Sequence, residues 1–219
     1  MTQEERSERS RAAILDAALQ MFSHQGFRGT SIRDVAARAG VSTGSVYHHF
    51  RDKEALLNTL LEQFWAASEE PDFPMNRALD AGAFPARLEE LGHAAREVIT
   101  GWRPYIALIY VDVVEFEGIH IRKFYANLAA HCEKFVNDRR DTHPITDQLR
   151  PGIPAGAAML MTMRMFVYYF IVEVLFGVPN HYGMSSDQAI GVISNILQEG
   201  MLKRDVDAAT DAAMPSASS

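Results

Sequence analysis

The chain has 219 residues, 47% of them apolar and 22% charged, an ordinary globular composition that can form a core without a disulfide or a metal. Its single cysteine, Cys132, excludes an intrachain disulfide and fits a reducing, cytoplasmic compartment. The formal net charge of −7 argues against a generic polyanion binder.

The N-terminal quarter of the sequence has the pattern of several short helices. The first helix carries one apolar face at helical spacing, made of Ile14, Ala17, Ala18, Met21 and Phe22. Gly26 follows at a position where a helix is expected to stop. Thr30 and Ser31 offer N-caps for a second short helix, and Gly40 allows a sharp turn after it because glycine takes positive φ at low cost.

The rest of the chain continues with helical patterns. Ser42 caps the next helix, in which Val46 and Phe50 are expected to point inward, and Asp52 caps a fourth helix that begins at Lys53. The stretch 68–85 is rich in Pro, Gly and acidic residues and is typical of a loop. Later helices are predicted over about 85–100, 103–117, 119–140, 154–177 and 186–202.

The predicted fold is all-α, with about nine helices in two domains. Residues 1–52 are expected to form a small three-helix domain, 53–204 a larger helical domain, and the Ala- and Ser-rich residues 205–219 a disordered tail. No signal peptide is expected, since the charged start lacks an apolar region. The apolar segment 155–176 carries Arg164 and Glu173, each costing roughly 2.5–3.5 kcal/mol at a bilayer centre, so it is predicted to be a helix of a soluble bundle and not a membrane span.

Two short helices joined by a three-residue turn containing glycine predict a helix-turn-helix over residues 31–50. The second helix of such a motif enters the DNA major groove by its N-terminus, where small polar residues allow close approach. Residues 1–57 hold eight Lys or Arg and seven Asp or Glu, whereas the remainder holds thirteen and twenty-one. A nucleic-acid contact is therefore expected only through the N-terminal section. The alternative is a helical hairpin whose polar side is merely solvated.

Residues 11–57 resemble the DNA-binding domain of the tetracycline-repressor (TetR) family of bacterial transcription regulators. The resemblance rests on ILDAALQMF…GFRGTS and on IRDVAARAGVSTGSVYHHFRDKEAL, which match the family pattern without gaps. It implies a homodimeric repressor that binds a palindromic operator, has no enzymatic activity and needs no cofactor. The expected DNA-facing residues are Thr30, Ser31, Arg33, Ser42, Thr43, Gly44, Ser45, Tyr47, His48 and Lys53. His49 is expected to be structural.

The resemblance also implies that the last two helices, 154–177 and 186–202, form the dimer interface. The small residues of 155–158 suit close helix packing across a dimer interface, and an ordinary intrachain core is the alternative. The remaining helices would enclose an effector pocket, for which the candidates are Trp102, Tyr105, Tyr110, Phe116, Phe124, Met161, Arg164, Met165 and Tyr168. Methionines adapt to irregular apolar shapes, which favours an apolar ligand. The resemblance adds an anionic lipid-like effector such as a fatty acyl-CoA, which some repressors of the family bind. Arg164 is expected to meet either such an anion or an internal carboxylate of Asp112, Glu115 or Glu173.

Two alternatives to an effector-controlled regulator remain open. Two Glu-x-x-His sequences, Glu90–His93 and Glu117–His120, permit a di-iron oxidase with Glu133 and Glu173, although Gly92 and Gly118 inside the motifs count against rigid ligand helices. A single metal held by His93, His120 and either Asp112 or Glu115 is a related possibility. A DNA-binding regulator that acts constitutively, without an effector, is the other.

Overall fold

The computed structural model describes residues 2–139 and 144–203 of the chain, and the predicted tail 205–219 lies outside them. Within these ranges the protein is helical and has no β-strand, which confirms the predicted all-α class. The helices are α1 Gln3–Gln25, α2 Ile32–Ala39, α3 Thr43–His49, α4 Lys53–Glu69, α5 Pro74–Asp80, α6 Leu88–Gly101, α7 Arg103–Glu115, α8 Ile121–Asp138, α9 Ile145–Gln148, α10 Ala155–Phe170 and α11 Ser186–Met201, with a π-helix at Ile171–Leu175 directly after α10. The described residues thus contain more helices than the nine predicted, because α5 and α9 lie in stretches interpreted as loops.

The chain divides into two compact units that interleave in sequence. The first unit takes residues 1–76 and 98–126, and the second takes residues 77–97 and those from 127 onward. The predicted boundary after residue 52 does not coincide with a boundary of either unit. Helix α7, assigned by sequence to the larger domain, therefore belongs to the same compact body as α1, α2 and α3.

The core of the first unit is built on the apolar face of α1. Ile14, Ala17, Ala18 and Phe22 are buried there as the spacing predicts, and α2, α4 and α7 pack on this helix. Helix α7 contributes the fully buried Leu108. Burying a leucine of this kind contributes roughly 1.5–3 kcal/mol, so α7 is part of what stabilises the N-terminal helices.

The second unit is centred on one face of α10. Its buried side chains include Met159, Phe166, Tyr169 and Phe170, and α11 packs against the same helix. Burial raises the pKa of the Tyr169 phenol to about 12 and the pKa of the Cys132 thiol to about 11, so both groups are neutral at pH 7. The segment Ala155–Leu175 is long and apolar enough to cross a membrane by length and composition alone, a test that the core helix of a soluble bundle also passes.

Gly156 marks a close approach between α10 and α8. A Cβ atom at this position would lie 3.1 Å from the Cα and 3.2 Å from the backbone nitrogen of Glu133. We expect Gly156→Ala to lower the free energy of unfolding by about 1–3 kcal/mol, because two helices must separate to admit the methyl group. Urea unfolding measures this change. Gly200→Ala on α11, where nothing lies within 4 Å, is the matched control and should raise the free energy of unfolding by about 0.4–1 kcal/mol. Equal effects of the two substitutions would contradict the close approach.

Candidate nucleic-acid interface

Local sequence signals set the bounds of α2 and α3. The Ser31 hydroxyl accepts a hydrogen bond from the Asp34 N–H, and the Asp34 carboxylate accepts one from the Ser31 N–H, which completes a capping box at the start of α2. Gly40 ends α2 in the left-handed conformation, with φ of 69°. Ser42 then caps α3 by accepting the Ser45 N–H at 3.1 Å. The N-caps Ser31 and Ser42 and the turn at Gly40 are those that the sequence predicts.

Helix α3 has one buried and one exposed side. Val46 and the following Phe50 are buried and attach the helix to the core. On the opposite side Tyr47 is 56% exposed, and Thr43, Gly44 and His48 are exposed too, with Ser42 exposed and Ser45 half-buried at the N-terminus. This orientation agrees with the predicted inward and outward residues. Contact of these side chains with DNA stays a prediction.

His49 is half-buried beside Phe50, with the ring centres 6.3 Å apart. Burial lowers the pKa of His49, and the neighbouring His48 lowers it further. A neutral, partly buried imidazole fits the structural role expected for this residue.

An open depression of about 600 Å³ lies between α2 and α3. It brings together six of the predicted DNA-facing residues: Thr30, Ser31, Arg33, Thr43, Tyr47 and Lys53. Arg28 also lines it, and its side chain is 82% exposed. Sequence reasoning missed Arg28, although an arginine in the loop just before α2 was the available signal. The depression is lined by the cations Arg28, Arg33 and Lys53 and by the carboxylates of Asp34 and Asp52, which leaves it a net positive charge suited to phosphate.

Thr30 does not present its side chain to this surface. The residue is only 2% exposed, and its hydroxyl donates to the Gly26 carbonyl at 2.9 Å. The predicted Thr30 contact across the groove is therefore wrong for the side chain, because its hydroxyl is used to close the loop before α2.

The ammonium group of Lys53 makes two of its hydrogen bonds within the protein. Its ammonium group donates to the carbonyls of Phe27 at 2.6 Å and Thr30 at 2.8 Å, and lies 4.1 Å from the centre of the Phe27 ring. Burial lowers the pKa of Lys53, whereas the nearby Glu115 carboxylate raises it. Because an ammonium has three N–H groups, one remains for a phosphate. Lys53 thus supports the loop before α2 in addition to lining the depression.

The candidate metal ligands are not assembled into a site. No group of three His, Cys, Asp or Glu side chains that could hold a metal ion occurs among residues 2–139 and 144–203. His93 instead faces Arg96, with Nδ1 3.0 Å from the guanidinium, and His120 pairs with the buried Asp112. The sequence Glu117–His120 lies in the turn after α7, where Glu117 has φ of 55°, so it does not form a helical Glu-x-x-His motif. The di-iron and single-metal interpretations therefore lack a site in these ranges.

The candidate pocket residues separate into two groups. In the first unit Trp102, Tyr105, Tyr110, Phe116 and Phe124 are half-buried, and most of them lie in an aromatic cluster in which Trp65 and Phe124 stack at 4.3 Å. Burial raises the pKa of Tyr105, so this phenol stays neutral. In the second unit Met161, Met165 and Tyr168 are exposed, as is Arg164.

The exposed group on α10 does not fit an enclosed pocket of a single chain. These residues lie on the side of α10 opposite to Phe166 and Tyr169, which the core already covers. The apolar sequence around Arg164 suggested a cation enclosed in the core. Arg164 is instead exposed. The correction follows from the composition of α10, which is apolar on both sides, so spacing could not tell the core side from the outer side.

Comparison with known proteins adds a family match over the N-terminal helices. Residues 14–60 match the family "Bacterial regulatory proteins, tetR family". The transcriptional repressor KstR2 of Mycobacterium tuberculosis is 35% identical over 97 residues, which are 41% of this chain and 48% of the relative, so the chain spans about half the length of that relative. The transcriptional regulator BetI of Burkholderia thailandensis is 30% identical over 143 residues, which are 59% of this chain and 71% of BetI.

Solved structures are similar over nearly the whole chain. NalD, the secondary repressor of the MexAB-OprM efflux pump of Pseudomonas aeruginosa, covers 91% of this chain and 99% of its own with a TM-score of 0.63 at 20% identity. FadR of Bacillus subtilis, solved with stearoyl-CoA, covers 87% of this chain and 98% of its own with a TM-score of 0.57 at 16% identity. At these identities the likeness establishes a shared fold.

Proposed function

Because this chain belongs to the tetR family of bacterial regulatory proteins, we propose that it is a homodimeric transcriptional repressor released from a palindromic DNA operator by a small-molecule effector. Regulators of this family are soluble cytoplasmic DNA-binding proteins, and the proposed site of action is the cytoplasm. The observation that carries the proposal is the exposed side of α3. Its small polar N-terminus and Tyr47 border a depression rimmed by arginines, while Val46 anchors the helix.

The proposed contacts divide by chemistry. Arg28, Arg33 and the free N–H of Lys53 would bind phosphates, which fixes the position of the motif on the duplex. Thr43 and Tyr47 would contact base edges in the major groove, and Gly44 lets the backbone approach. In a dimer the two recognition helices would enter successive major grooves about 34–36 Å apart.

Selection of binding sequences from a random DNA pool tests this function directly. The purified full chain is expected to enrich a palindrome whose half-sites are about one helical turn apart. Its affinity should fall steeply between about 50 and 200 mM salt because phosphate contacts release counterions. Recovery of no sequence above the input pool would contradict DNA-binding regulation.

The proposed dimer interface is the outer side of α10 and α11. Met161 is 68% exposed and Ile196 is 65% exposed, and a large exposed apolar surface on a single chain is typical of a contact site. We expect Ile196→Glu to produce a monomer, because a buried unpaired carboxylate at the interface is costly. Sedimentation velocity measures the change. The control, Val114→Glu, places the same charge at a position on α7 that is 80% exposed and should leave the dimer intact.

The proposed effector is an apolar or anionic lipid-like molecule. FadR of Bacillus subtilis was solved with stearoyl-CoA, and KstR2 of Mycobacterium tuberculosis is described as a ketosteroid transcriptional regulator. In this chain the aromatic cluster around Trp65, Trp102 and Phe124 offers apolar surface to such a ligand. Native mass spectrometry of the untagged protein would reveal a co-purified ligand as removable mass. A constitutive regulator would show instead no effect of acyl-CoA or steroid panels on operator affinity.

A further inference from the structure

The loop of residues 26–30, which joins α1 to α2, is held by two opposite charges. Glu115 at the end of α7 accepts the N–H of Phe27 at 2.9 Å and the N–H of Arg28 at 2.7 Å. Lys53 at the start of α4 donates to the carbonyls of Phe27 and Thr30. Hydrogen bonds to charged groups of this kind are about twice as strong as neutral ones. The loop backbone is therefore fixed by side chains from two other helices.

The two hydrogen bonds that Glu115 accepts depend on the position of its carboxylate beside the loop. Its side chain is only 14% exposed, so the two hydrogen bonds compete little with water. Gly26 adopts φ of 77°, and a Cβ atom there would lie 2.7 Å from Glu115 Oε1. Phe116, the residue directly after α7, packs edge-on against the Phe27 ring with centres 4.7 Å apart. A small displacement of the end of α7 would thus break both hydrogen bonds.

The end of α7 is itself held by the turn that follows it. The fully buried Asp112 accepts the Ile121 N–H at 3.0 Å through one oxygen and pairs with the His120 ring through the other. Its carbonyl also accepts the Gly118 N–H at 3.0 Å. Since Glu115 lies one turn beyond Asp112, the position of its carboxylate is tied to the α7–α8 turn.

We propose that Glu115 is a positioning residue for DNA binding. Its carboxylate holds the loop of residues 26–30 so that Arg28 and the first turn of α2 match the recognition helix, and a shift of α7 weakens DNA binding without any change within α3. This inference rests on the proposed function, since it assigns a means of controlling that DNA surface. It also gives α7, which carries Tyr105 of the aromatic cluster, a direct connection to the helix-turn-helix.

Two properties of Glu115 are expected to act on DNA affinity in opposite directions. Its negative charge repels phosphate, whereas its side-chain length lets the carboxylate hold the loop of residues 26–30. Removing a negative charge near a phosphate-binding surface would strengthen binding, whereas releasing the loop would weaken it. Glu115→Asp keeps the charge but shortens the side chain by one methylene, so the carboxylate no longer reaches both N–H groups. Glu115→Gln keeps the length but loses the charge. The same two substitutions at Glu62, an exposed residue of α4, are the controls.

The measurements are operator affinity by fluorescence anisotropy and the exchange rates of the Phe27 and Arg28 amide hydrogens by NMR. The operator is the sequence selected by the wild-type protein. Glu115→Asp is expected to weaken binding at least about ten-fold and to accelerate exchange at both amides while thermal unfolding stays cooperative. Glu115→Gln should accelerate exchange as well, and both Glu62 variants should match the wild type.

Operator affinity of Glu115→Asp within about two-fold of the wild type, or unchanged exchange at both amides, would overturn the inference. Failure of both Glu115 variants to fold would overturn it too, because Glu115 would then serve the fold and not the position of the loop. If only Glu115→Gln fails to fold, Glu115→Asp decides alone. A wild-type protein that selects no DNA would instead contradict the proposed function, which keeps the two failures apart.

Discussion

Replacing Tyr47 by alanine is expected to weaken operator binding by about 10- to 100-fold, which corresponds to about 1.4–2.8 kcal/mol. Tyr47 is the largest exposed side chain of α3 and borders the depression. Its hydroxyl can bond a phosphate or a base edge, and its ring can pack on the groove wall. The fold should stay intact because Val46 and Phe50, not Tyr47, attach α3 to the core.

Fluorescence anisotropy with the selected operator measures the change in affinity, and circular dichroism melting shows whether the fold is retained. Tyr125→Ala is the matched control. Tyr125 is 47% exposed on α8 and does not line the depression, so its removal should leave operator affinity unchanged. Normal binding by Tyr47→Ala would exclude α3 as the recognition helix in the proposed orientation.

Asp112→Ala is expected to lower the free energy of unfolding by about 3–5 kcal/mol. Asp112 is fully buried. The substitution would leave the Ile121 N–H and the His120 ring without their acceptor. Removing one partner of a buried polar pair carries the full desolvation cost of the other. A cavity where the carboxylate stood would add to the loss.

Urea unfolding gives this difference, with an exposed ion pair as the control. Asp138 lies 3.4 Å from Lys134 one helical turn earlier, and its side chain is 56% exposed. Asp138→Ala should therefore change the free energy of unfolding by no more than about 0.5 kcal/mol. Similar losses for the two aspartates would show that the Asp112 pair does not carry the stability of the α7–α8 turn.

Two helices outside the helix-turn-helix reach the loop before α2. Helix α4 does so through Lys53. Helix α7 reaches the same loop through Glu115. An effector that favours one position of α7 would then shift the population of DNA-competent molecules, which is how differential binding controls a two-state protein.

The sequence by itself determined the local features of the DNA-binding part. The N-caps Ser31, Ser42 and Asp52, the turn at Gly40 and the inward Val46 are all seen as predicted. The caps and the turn depend on interactions within about four residues, namely a side chain bonding a nearby N–H or a glycine taking positive φ. Such interactions can be recognised from short sequence patterns, which is why residues 31–50 could be interpreted without the fold.

Tertiary structure alone decided the features that depend on distant residues. Glu115 meets Phe27 and Arg28 across 88 and 87 positions of sequence, and no local pattern marks that contact. The burial of Thr30 follows from the same loop, and the outward side of α10 follows from which of its two apolar faces the core covers. Spacing states that a residue lies on a face, whereas only packing chooses which face meets the interior. For that reason the helix-turn-helix was predictable, and the position of its supporting helix α7 was not.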